Sequence, residues 1–110
     1  MTIAQMTKRD SYISGWHHEE TIAHGDTGND IEVFPIPDDN RITCTLIAGA
    51  NTGKFQVTTS TDAKVAAGTA TWQDWAKGVT TGTVSDVLIG PVTAIRGVSA
   101  SGELELEVVI

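Results

Sequence analysis

The chain has 110 residues, 40% hydrophobic and 19% charged, which fits one folded domain around one core and excludes wholesale disorder. Fourteen acidic residues against seven basic ones give a formal net charge of -7, so the surface repels phosphate backbones and argues against nucleic acid as a partner. No apolar run approaches the roughly 20 residues that span a bilayer, and the first twenty residues lack a signal-peptide core, so no membrane is expected and synthesis is expected in the cytoplasm.

Residues 1–29 are polar and irregular, rich in Ser, Gly, His and Asp, and read as an extended N-terminal arm with at most one strand near Thr21 to His24. The basic pair Lys8-Arg9 is followed at once by Asp10 and reads as exposed charge. His17, His18, Glu19, Glu20, His24 and Asp26 gather metal-ligand types within ten residues. Their spacing does not converge them, because adjacent residues on a strand point apart, so a solvated loop and no metal is the expectation. Asp26-Thr27-Gly28-Asn29-Asp30 lacks the ligand spacing and distal glutamate of a calcium loop and reads as a turn.

From residue 30 to 110 the rhythm becomes that of a β domain. Ile31 to Phe34 alternates and ends at Pro35 and Pro37, which suits an edge strand because proline cannot donate to a ladder. Asp38-Asp39-Asn40 supplies turn chemistry. In Arg41 to Ala48, Ile42, Cys44 and Leu46 face one way and Thr43 and Thr45 the other, so Cys44, the only cysteine, reads as a small core residue that forms no disulfide. Ala48 to Lys54 has the look of a relaxed phosphate-binding loop. Phe55 stands where magnesium binding needs Ser or Thr, and alternation follows instead of a helix, so Gly49 to Gly53 reads as a hairpin turn.

Asp62 to Ala67 allows one helical turn before a predicted strand over Thr69 to Trp75. Trp72 and Trp75 stand three apart, so a regular strand turns one to the core and the other to a surface that meets a partner. Sugar stacking on an exposed ring is the competing use. Strands follow over Val84 to Ile89 and Val92 to Val98, with a Gly90-Pro91 break between them, and Ser99 to Gly102 turns the chain into its last strand. There Leu104, Leu106, Val108 and Ile110 alternate with Glu103, Glu105 and Glu107, placing the three carboxylates in solvent. Seven to eight short strands with turns every eight to twelve residues predict an all-β fold, an antiparallel β-sandwich or jelly roll. No Ser-centred elbow or other catalytic constellation is present, and neither an enzyme nor a cofactor is expected.

The stretches Lys54 to Ser60, Ala67 to Trp75 and Gly90 to Val98, with the hydrophobic closing strand, have a shared cadence over residues 41 to 110. In style and order it resembles small β-sandwich virion structural proteins of tailed bacteriophages, including capsid decoration (cement) proteins. The resemblance implies a non-enzymatic protein on the capsid surface that clamps neighbouring major-capsid subunits, commonly as a homotrimer. The alternative is a receptor- or glycan-binding module of a tail or fibre. In either setting the expected partner interface comprises Trp16, His17, His18, Trp72 and Trp75.

Overall fold

The computed structural model describes residues 3–8, 15–33, 41–89 and 92–110. The strand end at Pro35 and Pro37, the 38–40 turn, the Gly90-Pro91 break and the Arg9-Asp10 part of the basic run lie outside them. Among the described residues there are nine strands and one short helix: β1 (Ile3–Gln5), β2 (Thr7–Lys8), β3 (Trp16–Ile22), β4 (Asp30–Glu32), β5 (Arg41–Thr58), α1 (Asp62–Ala67), β6 (Gln73–Asp74), β7 (Thr80–Ile89), β8 (Ala94–Ser101) and β9 (Leu104–Val109). The fold is all-β, as the alternation predicts. One pair, β1 with β4, is parallel and the others are antiparallel.

One strand organises the sheet. The predicted hairpin at residues 49–53 does not form, and β5 runs 18 residues straight through it. Its register against β7 shifts between Ile47 and Thr52, where Gly49 takes φ 59°. The extra residues make a bulge, and a bulge bends the strand and changes which face its side chains take. Ile42, Cys44, Leu46 and Ala48 are buried before it, Gly53 and Phe55 after it, so the inward set passes from even to odd numbers.

The far edge of β5 is bent at the same level. β9 pairs with residues 43–47 of β5 and β8 with residues 53–58, both antiparallel, so β8 and β9 lie end to end along one edge. Residues 99–102 therefore kink a continuing strand instead of reversing it. Gly102 at φ 69° makes the kink, packed so tightly on Asn51 that an added Cβ would fall 2.0 Å from its side chain. Asn51 donates to the Glu103 carbonyl at 3.1 Å, and Thr52 N–H donates to Ser101 Oγ at 3.0 Å, tying the two bends together.

Two layers result from these two bent strands. The first runs β7, the N-terminal half of β5, β9, β3 and β2; the second runs β6, the C-terminal half of β5, β8, β4 and β1. Because β5 and the β8–β9 line belong to both, the sheet is continuous and barrel-like, nearly closed, where two separate sheets of a sandwich were one expectation. The interior is filled by Ile22, Ile31, Ile42, Leu46, Phe55, Ile95, Leu104, Leu106 and Val108, all essentially without exposure.

Residues 16–22, assigned to the polar arm by composition, are a strand inside this sheet, between β2 and β9. Ala4, Met6 and Ile22 enter the core, so the described part of the first 29 residues is integral to the domain. The polar character of β3 hid it. Its inward residues His18 and Glu20 satisfy each other, Nε2 to Oε1 at 2.8 Å, and Glu20 Oε2 accepts from the Asn29 N–H, so β3 brings in no polar side chain without a partner. The segment after β5 folds back across the outside of the second layer. Thr61 caps α1, Gly68 closes it, Val65 is its buried anchor, and Thr58 Oγ1 donates to the Thr71 carbonyl at 2.7 Å.

Cys44 is fully buried, and burial, with the Asp86 charge adding to it, pushes its thiol up to about 12. Ellman's reagent at pH 8 should leave Cys44 unreacted in the folded chain and modify it completely in denaturant. Rapid native labelling would contradict the placement.

Trp75 is 5% exposed and stacks on Phe55, with ring centroids 4.1 Å apart and planes inclined by 18°. Trp72 is half-buried and lies under the Arg96 guanidinium, 4.1 Å from its ring centroid. Trp75 is thus a core residue and Trp72 is not, but the regular strand predicted over Thr69 to Trp75 to divide them does not form: the strand there is only Gln73–Asp74. Trp75→Ala should cost about 3–5 kcal/mol, a large part of a domain's stability. Trp72→Ala should cost about 0.5–2 kcal/mol through the lost cation–π contact. Urea denaturation of both variants measures the difference.

Candidate partner interface

The first layer presents a graded outer face. Across the strands, His17, Val109, Thr43 and Val87 form one row; Glu19, Glu107, Thr45 and Ser85 a second; Thr21, Glu105, Ile47 and Thr83 a third. Carboxylates crowd the β3–β9 side. Glu19 stands directly opposite Glu107, and a shallow depression of about 350 Å³ is lined by Glu19, Glu20, Thr21, Glu105 and Glu107. On the β7–β5 side the face is hydroxyl and apolar, with Thr45 and Ser85 bonded at 2.8 Å.

β7 closes this side as an edge, pairing only with β5 among the described residues. Its outward row is Thr81, Thr83, Ser85, Val87 and Ile89, with no charge in it. Val87 is 53% exposed and Ile89 81%, and Val79, just before the strand, is 55% exposed. The one charge in β7, Asp86, turns inward, where it accepts from the Trp75 indole N–H and from the Val87 N–H. Trp75 thus fixes the strand from beneath, with Phe55 stacked behind it.

The five residues assigned to a partner interface from sequence do not come together. Trp16, His17 and His18 lie on β3, beyond β9 from β5; Trp72 and Trp75 flank β6, on the opposite edge of β5. Trp16 packs against the core and exchanges backbone bonds with Ile110, His17 faces outward, and His18 faces inward to Glu20. His24 Nδ1 accepts from the Gly102 N–H at 2.7 Å, so the three histidines point to three places. Among the described residues no group of three or more His, Cys, Asp or Glu side chains is arranged to hold a metal. The open β7 edge was not singled out in the sequence, although its signal is there: between Val79 and Ile89 the chain carries a single charge.

The second layer carries a polar row on its outer face. Asp74 receives hydrogen bonds from Gln56 Nε2 at 2.8 Å and Lys54 Nζ at 2.9 Å, which hold its carboxyl below the usual range. Arg96 donates from Nε to Gln56 Oε1 at 2.8 Å. Next to it Asp30, 1% exposed, has no hydrogen-bond donor on either oxygen among the described residues, and its nearest charge is Arg96 Nη1 at 3.9 Å.

No protein-family model matches the chain, and no curated protein matches it. Among solved structures it is similar to an oxalate oxidase (TM-score 0.48, 11% identity, 86% of this chain and 40% of that one) and to oxalate oxidase in complex with the substrate analogue glycolate (0.47, 12%, 86% and 40%). A third is a Pseudomonas putida prolyl-4-hydroxylase (0.42, 15%, 89% and 52%). The chain thus spans about half or less of the length of each.

Burial raises the Asp30 carboxyl above its usual range, against the lowering influence of Arg96. A carboxyl with a raised folded pKa binds its proton more tightly folded than unfolded, so its stabilising contribution is full at low pH. That contribution is lost as pH rises from about 3.8 through the folded value. The melting temperature of Asp30→Asn minus that of the wild type should therefore increase as pH is raised from 3 to 7. A flat or falling difference would show that Arg96 compensates the buried charge in full.

Proposed function

We propose that this chain is a non-enzymatic assembly module that works by docking through the β7 edge, and that its setting is a tailed-phage virion, where it decorates the capsid and clamps neighbouring major-capsid subunits. The observation that carries the docking reading is the charge-free outer row of the ten-residue strand β7, exposed at Val87 and Ile89 and held from beneath by Trp75. An open strand edge offers main-chain donors and acceptors to a partner strand, and its alternate side chains supply specificity. The filled interior supports surface binding over chemistry in a barrel cavity. The capsid setting is supported by the cadence of residues 41–110.

The glycan-binding alternative loses support at the tryptophans, since Trp75 is buried and one face of Trp72 is occupied by Arg96. Quantitative mass spectrometry of purified particles should find the chain in a fixed, near-stoichiometric ratio to the major capsid protein. Val87→Lys should strip it from those particles. A few copies per particle, together with polysaccharide binding lost in Trp72→Ala, would replace capsid decoration with the tail module.

A further inference from the structure

Among the described residues four strands close the sheet as edges, and they are not alike. β1 has three residues, β2 two with Lys8 among them, and β6 two, capped by the Lys54–Asp74 ion pair. Short length and charge are the usual guards that stop an edge from pairing with another chain. β7 has neither, running ten residues with its only charged side chain turned inward onto Trp75.

We infer that the β7 edge is occupied by the β7 edge of a second copy, paired antiparallel about a two-fold axis near Val84 so that the first layers of two subunits form one continuous sheet. This rests on the reading of β7 as the docking edge and names its occupant. A register about Val84 makes the edge self-complementary. An axis through Asp86 would set two carboxylates face to face, which disfavours it. An axis through Val84 sets Asp86 against the bare Cα of Gly82 and brings Ile89 opposite Val79 of the second copy at each end. The most exposed apolar side chains of this edge then cover one another.

The net charge of -7 does not oppose this pairing at close range. The carboxylate stripe lies on β9 and β3, separated from β7 by β5. Across the joined sheet the two β9 strands stand five strand spacings apart, about 24 Å. That is about three Debye lengths at physiological salt, so repulsion between the stripes is largely screened.

Light scattering over a dilution series should give twice the 11.6 kDa monomer mass at high concentration. Val87→Lys combined with Ile89→Lys should raise the dissociation constant at least about tenfold while leaving circular dichroism and melting unchanged. Val84→Cys, in an otherwise unaltered chain with Cys44 buried, should oxidise to a covalent dimer; this measurement decides the matter if the double lysine variant does not fold. A monomer at every concentration, a trimer, a dimer indifferent to the lysines, or failure of Val84→Cys to cross-link would overturn the pairing. A chain that stays monomeric in solution yet binds particles through Val87 would keep the docking reading and reject the second copy.

Discussion

Most of this structure follows from the bulge at residues 48–51 of β5. A strand of 18 residues that stayed regular would be too long and too flat to curl around a core of this size. With Gly49 left-handed and the register shifted against β7, the strand bends and its inward face passes from Ile42, Cys44 and Leu46 to Gly53 and Phe55. Both halves can then line the same interior. The kink at Gly102, locked against Asn51, does the same for the β8–β9 line, and the pair of bends lets two long strands act as the corner of a nearly closed sheet. Removing either bend would turn one half of the core residues outward.

The aromatic stack behind β7 connects that core to the surface. Phe55, placed inward by the parity switch, stacks on Trp75, and the Trp75 indole donates to Asp86. Burying the carboxylate's partner beneath the strand gives the one charge of β7 a reason to face inward, and clears the outward row for Thr, Ser, Val and Ile. The openness of the edge is therefore a consequence of how the core is filled. On the second layer the polar row is treated differently. Asp74 is well bonded and solvated, whereas Asp30 is buried without a donor among the described residues, so burial dominates one carboxyl and hydrogen bonding the other.

Much was legible in the sequence because period-two alternation reports directly on which face of a strand is buried. Leu104, Leu106 and Val108 inward with Glu103 and Glu105 outward, Ile42, Cys44 and Leu46 in the core, and the single turn of helix at 62–67 were all available from local pattern. The interface residues were not. Trp16, His17 and His18 draw the eye by residue type, but pairing with β9 and β2 makes them part of a sheet, and composition carries no information on pairing.

What the sequence by itself determined is the all-β class, the inward and outward faces of β5 and β9, and the positions where the backbone must bend. What only the tertiary structure decided is what those bends do. Gly49-Ala50-Asn51-Thr52-Gly53 and Ser99-Ala100-Ser101-Gly102 suit a reversal or a bulge equally well, since both need a residue at positive φ and both interrupt the alternation. The choice depends on which strand lies alongside, a long-range pairing that local propensity cannot specify. The same pairing places β7 at an edge and β3 inside, and so decides which apolar residues cover the core and which remain open to a partner.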